Sequence, residues 1–175
     1  MPKPRLLLTR PHPGAAQFLE RLSPALRDGA VISPLIEIAP TGVGVDLAPF
    51  AGVIFTSANG VAHAPKGDGR PAFCVGPQTT AAAAKAGWQA QMAGLDAQAL
   101  IATLLGQPQI GPLLHLAGRH RRADVAAILG ASGLTVDVAT IYEQNLLPLS
   151  SAAQTLLNGP SPVIVPLFSP RSAEH

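Results

Sequence analysis

The sequence predicts an α/β protein built on mostly parallel β-sheets. Along the 175 residues, short apolar runs bounded by turns alternate with amphipathic or alanine-rich stretches, the pattern of successive βα units. Hydrophobic residues make up 47% and aromatic residues 4%, so the core must be built mostly from Ala, Leu, Val and Ile. Two apolar runs, at 53–55 and 163–168, end in hydroxyl-rich turns. Such turns present hydroxyl and backbone N–H groups to an anionic ligand at the carboxyl end of a strand.

The first elements follow this alternation. A strand at 5–9 precedes a helix from Ala15 to about Leu26. The apolar residues of that helix recur at the spacing of one helical face: Phe18, Leu19, Leu22 and Leu26. The extended segment 30–38 is broken by Pro34, which favours an edge strand or an interdomain ladder over a central strand.

The later elements repeat the alternation of strand, turn and helix. A strand at 72–75 contains Cys74, the single cysteine, which we expect to be a buried structural thiol. The remaining predictions are a turn at 76–80 with a helix at 81–86, a helix at 95–105, a strand at 113–116, a helix at 122–129, an extended segment from 136 to 142, a helix at 151–157 and a final strand at 163–168.

The turn Thr56-Ser57-Ala58-Asn59-Gly60 is the first candidate ligand site. It offers two hydroxyls, a side-chain amide and free N–H groups at the start of a helix. The alternative is simple capping, because Ser and Asn favour N-cap positions and Asn-Gly is a common turn pair. Thr79 presents the same two alternatives in the turn at 76–80.

Three further side chains carry chemistry in suitable places. Arg10 and Arg119 each follow a strand, where a guanidinium can bind a carboxylate with two hydrogen bonds or remain a solvated surface charge. Tyr142, the only tyrosine, ends an extended apolar segment next to Glu143. Its phenol is suited to donating or relaying a proton, or to lying as an amphipathic residue at a domain edge.

Several function classes are excluded or disfavoured. One cysteine rules out an intrachain disulfide and a cysteine-cluster metal site, and the five histidines show no ligand spacing, so we expect no metal. Neither a Walker A loop nor a dinucleotide fingerprint is present. The formal charge of +2 comes with a single dense basic cluster at 115–122 and few aromatics, which argues against nucleic-acid binding. No signal peptide or membrane-spanning run is visible, so a cytoplasmic protein is expected.

Read in order, the motifs resemble those of the uroporphyrinogen-III synthase family. They span essentially the whole chain: Leu8-Thr9-Arg10-Pro11, Pro34-Leu-Ile-Glu-Ile38, Ile54-Phe-Thr-Ser-Ala-Asn-Gly-Val61, Val75-Gly-Pro-Gln-Thr79, Leu116-Ala-Gly-Arg119, Gly133-Leu-Thr-Val136, Ile141-Tyr-Glu143 and Leu167-Phe-Ser-Pro-Arg-Ser172. Order and spacing carry the resemblance, since no single motif is diagnostic.

The resemblance implies two flavodoxin/Rossmann-like parallel-sheet domains joined by a two-stranded ladder, with the active site in the cleft between them. Domain one would comprise residues 1–36 and 147–175, and domain two residues 37–146. Family members continue beyond the Phe-Ser-Pro-Arg-Ser turn, so the discontinuous first domain is expected to be incomplete. A monomer is expected unless that shortened domain completes its sheet by dimerisation.

The resemblance also implies the chemistry. The enzyme would be a lyase that closes hydroxymethylbilane to uroporphyrinogen III, with loss of water, a spiro intermediate and inversion of ring D. It would need no cofactor, would bind this small-molecule substrate, and would work in sequence with hydroxymethylbilane synthase. Tyr142 would assist departure of the hydroxyl. The implied substrate-binding residues are Arg10, Thr56, Ser57, Asn59, Gly60, Thr79, Arg119, Ser169, Arg171 and Ser172.

Two other functions remain open at this stage. A non-catalytic relative would bind linear tetrapyrroles or act as a partner domain without turnover. An unrelated flavodoxin-like protein would bind a nucleotide or phosphate and have no affinity for the bilane, because fold alone does not fix function.

Overall fold

The computed structural model of the chain contains two sheets of mostly parallel strands with flanking helices. It describes residues 3–107, 110–121, 123–168 and 173. The predicted α/β class is confirmed. The chain divides into two compact units: unit 1 comprises Met1–Ile38 and Gln144–His175, and unit 2 comprises Ala39–Glu143. The assignment of these parts as domains, with the predicted bounds, stays a prediction.

Unit 1 is built on a three-stranded sheet in the order β2-β1-β9. Its elements are β1 (Arg5–Leu8), α1 (Gly14–Glu20), α2 (Pro24–Arg27), β2 (Val31–Ile32), α7 (Ser151–Leu157) and β9 (Val163–Ile164). Both pairings of β1 are parallel. Because side chains alternate across a strand, Leu6 and Leu8 pack with Ala15 of α1, whereas Leu7 packs with Ala153 and Leu156 of α7.

Unit 2 contains most of the larger sheet, whose order is β3 (Ile36–Pro40), β8 (Val136–Leu146), β7, β4, β5 and β6. Its elements are β4 (Gly52–Phe55), α3 (Ala58–His63), β5 (Pro71–Val75), α4 (Gly76–Lys85), β6 (Gln89–Gly94), α5 (Ala97–Leu105), β7 (Leu113–Gly118) and α6 (Val125–Ala131). Strands β4 and β7 are buried along their whole length, as expected for central parallel strands covered on both faces. Leu100 and Leu104 of α5 and Leu129 of α6 pack in one core cluster with Ile54.

Two strands carry the chain between the units. The chain leaves unit 1 along β3 (Ile36–Pro40) and returns along β8 (Val136–Leu146). The backbone N–H of Thr41 donates to the carbonyl of Ile141, and that of Leu147 donates to the carbonyl of Leu35. Residue numbers therefore rise along one strand as they fall along the other, which is the register of an antiparallel pair.

Several predicted boundaries in unit 1 are wrong, and prolines explain them. The helix expected at 15–26 is two helices, because Pro24 has no N–H to donate and is tolerated only in the first turn of a helix. The final strand expected at 163–168 is limited to Val163–Ile164, because Pro166 cannot donate to a ladder.

Unit 2 also departs from the predicted boundaries. The expected turn at 76–80 is the first part of α4, because Pro77 suits the first turn of a helix and Gly76 has a positive φ of 74°. The helix expected at 122–129 is α6, Val125–Ala131. Strand β6 was not predicted, because its sequence Gln-Ala-Gln-Met-Ala-Gly has no β-branched or aromatic residue. Cys74 is buried, as predicted. None of the described helices is long and apolar enough to cross a membrane.

Candidate active site

The strand ends of unit 2 bring several predicted site residues together. Parallel register pairs Ile54 of β4 with His115 of β7, and Gly118 of β7 with Tyr142 of β8. The turn after β4, the end of β7 and the middle of β8 therefore lie side by side. This edge is where open α/β sheets bind ligands.

The Tyr142 phenol is held by close contacts. A Cβ added at Gly118 would lie 2.5 Å from the ring atoms Cε2 and Cζ and 2.9 Å from the hydroxyl oxygen, so the absence of a side chain there makes room for the ring. The His63 ring is stacked on the phenol ring, with centroids 5.8 Å apart and planes 25° apart. Only 5% of Tyr142 is exposed.

Burial and one neighbouring hydroxyl act on the pKa of this phenol in opposite directions. Burial raises the pKa of Tyr142, and the nearby Ser57 hydroxyl opposes that shift only in part. A tyrosine is neutral at physiological pH even with its ordinary pKa, so this phenol has a proton to donate, and burial makes that proton harder to remove. If the phenol loses that proton, the Ser57 hydroxyl can donate to the resulting phenolate.

Ser57 also performs the capping role that the sequence left open. It is the N-cap of α3, and its Oγ accepts a hydrogen bond from the backbone N–H of Asn59 at 3.2 Å. The same helix approaches β7 closely, because a Cβ at Gly60 would lie 2.8 Å from the carbonyl oxygen of Leu116. Capping and glycine packing thus place the Thr56–Ser57 turn against the end of β7.

Arg119 is an exposed cation that already has a partner. Its Nε lies 3.0 Å from Oε2 of Glu143, with 61% of the arginine side chain and 33% of the glutamate side chain exposed. Its backbone N–H donates to the carbonyl of Tyr142 at 3.0 Å, which ties the turn after β7 to β8. An incoming carboxylate would therefore compete with Glu143 for this guanidinium.

His115 and His63 are functional candidates that the sequence reasoning missed. His115 is 1% exposed, and its Nε2 lies 3.3 Å from Oγ1 of Thr56. Burial and the Arg121 charge lower the pKa of His115 to about 4, while Asp124 raises it. The sequence could have indicated His115 through its position as one polar residue inside the apolar run Leu113-Leu-His-Leu116. His63 had no such signal, because its stacking on Tyr142 depends on strand order.

Thr56, Ser57, His63, His115 and Tyr142 form the candidate cluster. Apart from Arg119 and those in the turn at 56–60, the other predicted site residues have no described contact with it. Arg10, in unit 1, has its guanidinium carbon 4.5 Å from the centroid of the Phe168 ring. Thr79 is 6% exposed and lies inside α4. Ser169, Arg171 and Ser172 lie outside the described residues. The binding roles of all these residues stay predictions.

The described residues show no metal-binding group, and the groove between α3 and α4 does not include the centre of the cluster. Within the described part of the chain, no group of three His, Cys, Asp or Glu residues is arranged to hold a metal ion. A groove of about 640 Å³ lies between α3 and α4, with Lys66, Asp68 and Lys85 in its wall. Neither Tyr142 nor Thr56 lines it. The phenol, hydroxyl and N–H groups of the cluster are suited to proton donation and anion binding.

Comparison with known proteins decides the family. The family model of uroporphyrinogen-III synthase HemD matches residues 25–175. The chain belongs to the uroporphyrinogen-III synthase family. No match was found among curated proteins.

A solved structure supports the fold of this uroporphyrinogen-III synthase family member. The crystal structure of uroporphyrinogen-III synthetase from Helicobacter pylori 26695 is similar to it, with a TM-score of 0.69 and 17% sequence identity. The match covers 98% of this chain and 76% of the Helicobacter pylori chain. At this identity the likeness shows the shared fold.

Proposed function

We propose that this protein is a uroporphyrinogen-III synthase, a lyase that cyclises hydroxymethylbilane with inversion of ring D and loss of water. The proposal is supported by membership of the family over residues 25–175. The observation that carries it is the Tyr142 phenol, buried against Gly118 and stacked on His63 at the edge where open α/β sheets bind ligands.

The first step is departure of the terminal hydroxyl. Tyr142 donates its proton to that hydroxyl as the carbon–oxygen bond breaks, so the group leaves as water and the bilane carries a positive charge. Ser57 donates a hydrogen bond to the phenolate formed. The proton that the substrate releases after ring closure returns to the phenolate, so the enzyme is regenerated without a cofactor.

The second contribution is to hold the cationic substrate in one geometry. The cation closes by itself to the wrong isomer, so the enzyme must keep ring D where the spiro intermediate forms and inverts. The acetate and propionate groups of the substrate provide the anchors for hydroxyl, N–H and guanidinium groups. The residues proposed to bind them are Arg10, Thr56, Ser57, Asn59, Gly60, Thr79, Arg119, Ser169, Arg171 and Ser172.

An isomer-resolved turnover assay tests the proposal. Purified protein would be mixed with freshly generated hydroxymethylbilane, and the oxidised products separated into uroporphyrins I and III. We expect isomer III well above the spontaneous background. Isomer I alone would refute the synthase. Binding of the bilane without turnover would instead favour a non-catalytic tetrapyrrole-binding protein.

Tyr142→Phe tests the role of the phenol, because it keeps the ring that packs on Gly118 and His63. We expect the formation of isomer III to fall by about 10²-fold or more, the usual contribution of a positioned acid. Ser132→Ala is the matched control: it also deletes a hydroxyl in unit 2, one that donates to the carbonyl of Ile128. Equal activity of Tyr142→Phe and Ser132→Ala would remove the assigned role.

A further inference from the structure

His115 is a buried imidazole that the proposed chemistry does not use directly. It lies in β7 between β4 and β8, where its register partners are Ile54 and Val138. Its Nε2 is 3.3 Å from Oγ1 of Thr56. Its Nδ1 is buried and has no hydrogen-bond partner among the described residues.

The two ring nitrogens are therefore in different environments. At physiological pH the ring is neutral, because burial lowers the pKa of His115 to about 4, so one nitrogen carries a proton and the other a lone pair. A proton on Nδ1 would leave a buried N–H without an acceptor, and such orphaned donors are rarer than orphaned acceptors. The proton therefore belongs on Nε2, which faces the Thr56 hydroxyl.

This tautomer determines what the Thr56 hydroxyl can offer a ligand. The hydroxyl accepts a hydrogen bond from Nε2–H of His115, so its own proton is free to donate elsewhere. In the opposite tautomer the hydroxyl would donate to the imidazole and would present only lone pairs to the ligand. A carboxylate accepts hydrogen bonds and has none to donate, so only the first arrangement attracts one.

We propose that His115 is a positioning residue for substrate carboxylates: its Nε2–H turns the Thr56 hydroxyl into a hydrogen-bond donor at the candidate site. The inference rests on the proposed function for the identity of the ligand, an acetate or propionate group of the bilane. The orientation of the hydroxyl rests on the structure alone. A hydroxyl that already accepts a bond is also a stronger donor, which favours an anionic ligand further.

The proposal is tested first by NMR, which needs no turnover, and then by kinetics. In the unliganded protein with nitrogen-labelled histidine, long-range proton–nitrogen NMR correlations report which ring nitrogen is protonated. The His115 signals are assigned by their absence in His115→Leu. We expect the Nε2–H tautomer at neutral pH. The Nδ1–H tautomer would overturn the proposal, whether or not the protein is a synthase.

Kinetics then test whether His115 acts through Thr56. We expect His115→Leu to raise KM for hydroxymethylbilane about tenfold with little change in kcat, as when one charge-assisted hydrogen bond is misdirected. His115→Gln, which keeps a side-chain N–H, should recover much of that loss. His120→Leu is the control, since His120 is exposed in the turn after β7.

A double-variant cycle completes the test. Thr56→Val combined with His115→Leu should be no worse than the more impaired single variant, because both remove one hydrogen-bonded unit. If the losses of the two single variants multiply in the double variant, His115 acts independently of Thr56 and the proposal is overturned. If the wild type neither converts nor binds the bilane while the Nε2–H tautomer is found, the hydroxyl orientation is upheld, and the bilane as ligand is rejected with the proposed function.

Discussion

Replacing Gly118 with alanine tests whether the Tyr142 phenol is held by close packing on the backbone of β7. The added Cβ would lie 2.5 Å from Cε2 and Cζ of the ring, whereas ordinary van der Waals contact begins at 3.4 Å. The ring would therefore have to move by about 0.9 Å. Gly118 does not have a positive φ, so the cost of the substitution is steric and not conformational.

The ring has little freedom to move. The His63 ring is stacked on it, and the Ser57 side chain is close enough to affect the pKa of the phenol. Overpacking a well-filled site costs about 1–3 kcal/mol, and we expect Gly118→Ala to lower the free energy of unfolding of unit 2 by that amount. The displaced phenol should also slow the formation of isomer III.

Urea unfolding followed by the fluorescence of Trp88 measures this cost. Trp88 is the only tryptophan of the chain and lies in unit 2, so its signal reports on the unit that is changed. Gly130→Ala is the matched control: its Cβ would have nothing within 4 Å, and it should gain up to about 1 kcal/mol from the higher helix propensity of alanine. If Gly118→Ala is as stable as Gly130→Ala, the phenol is not packed on Gly118 as described.

Three further predictions concern the same cluster. Between about pH 7.5 and about pH 5, unit 2 should lose about 2 kcal/mol of stability through His115, because the imidazole titrates at 6.5 when unfolded and at about 4 when folded. The contribution of the neutral imidazole to the free energy of unfolding is present above pH 6.5 and is lost as the pH falls towards about 4. His115→Leu should lack this part of the pH dependence. If the variant shows the same pH dependence as the wild type, the prediction is wrong. Ser57→Ala should cost about 1 kcal/mol in urea unfolding, because the Asn59 N–H loses its acceptor, while Ser57→Thr should retain most of the stability; equal losses in both variants would argue against capping. Arg119→Gln should change stability by less than about 1 kcal/mol, since its ion pair with Glu143 is largely exposed, and a larger loss in the same assay would mean that the pair is more strongly held than its exposure implies.

The elements that local pattern could predict are those whose signals are continuous. The apolar run before Thr56 forms β4, and the predicted helix at 151–157 matches α7 residue for residue. The predicted boundaries were wrong where a proline is compatible with two structures. Pro77 favoured a turn in the sequence prediction but lies in the first turn of α4. Strand β6 was not predicted, because it is extended through its pairing with β5 and its composition does not favour a strand.

The candidate site shows a similar division. Thr56, Ser57 and Tyr142 were recognised as chemically suitable residues, but their proximity depends on the order β8-β7-β4, which no local pattern contains. The close approach of Gly118 to the phenol depends on that order too. His115 was visible only as a polar interruption of an apolar strand. The catalytic and binding roles themselves stay predictions.

The order of strands in unit 2 also has a consequence for biosynthesis. Strands β4, β5 and β6 leave the ribosome in sequence and can pair at once, but this leaves the other edge of β4 open. That edge stays unpaired until β7 emerges, because Thr56 and His115 are 59 positions apart in the chain. The growing chain thus has an apolar strand with an unpaired edge through much of its synthesis. In this state, aggregation with other nascent chains competes with folding. The edge that carries the candidate site is the last part of this sheet to form, so a pause in translation before β7 would prolong the period in which β4 can pair with the wrong strand.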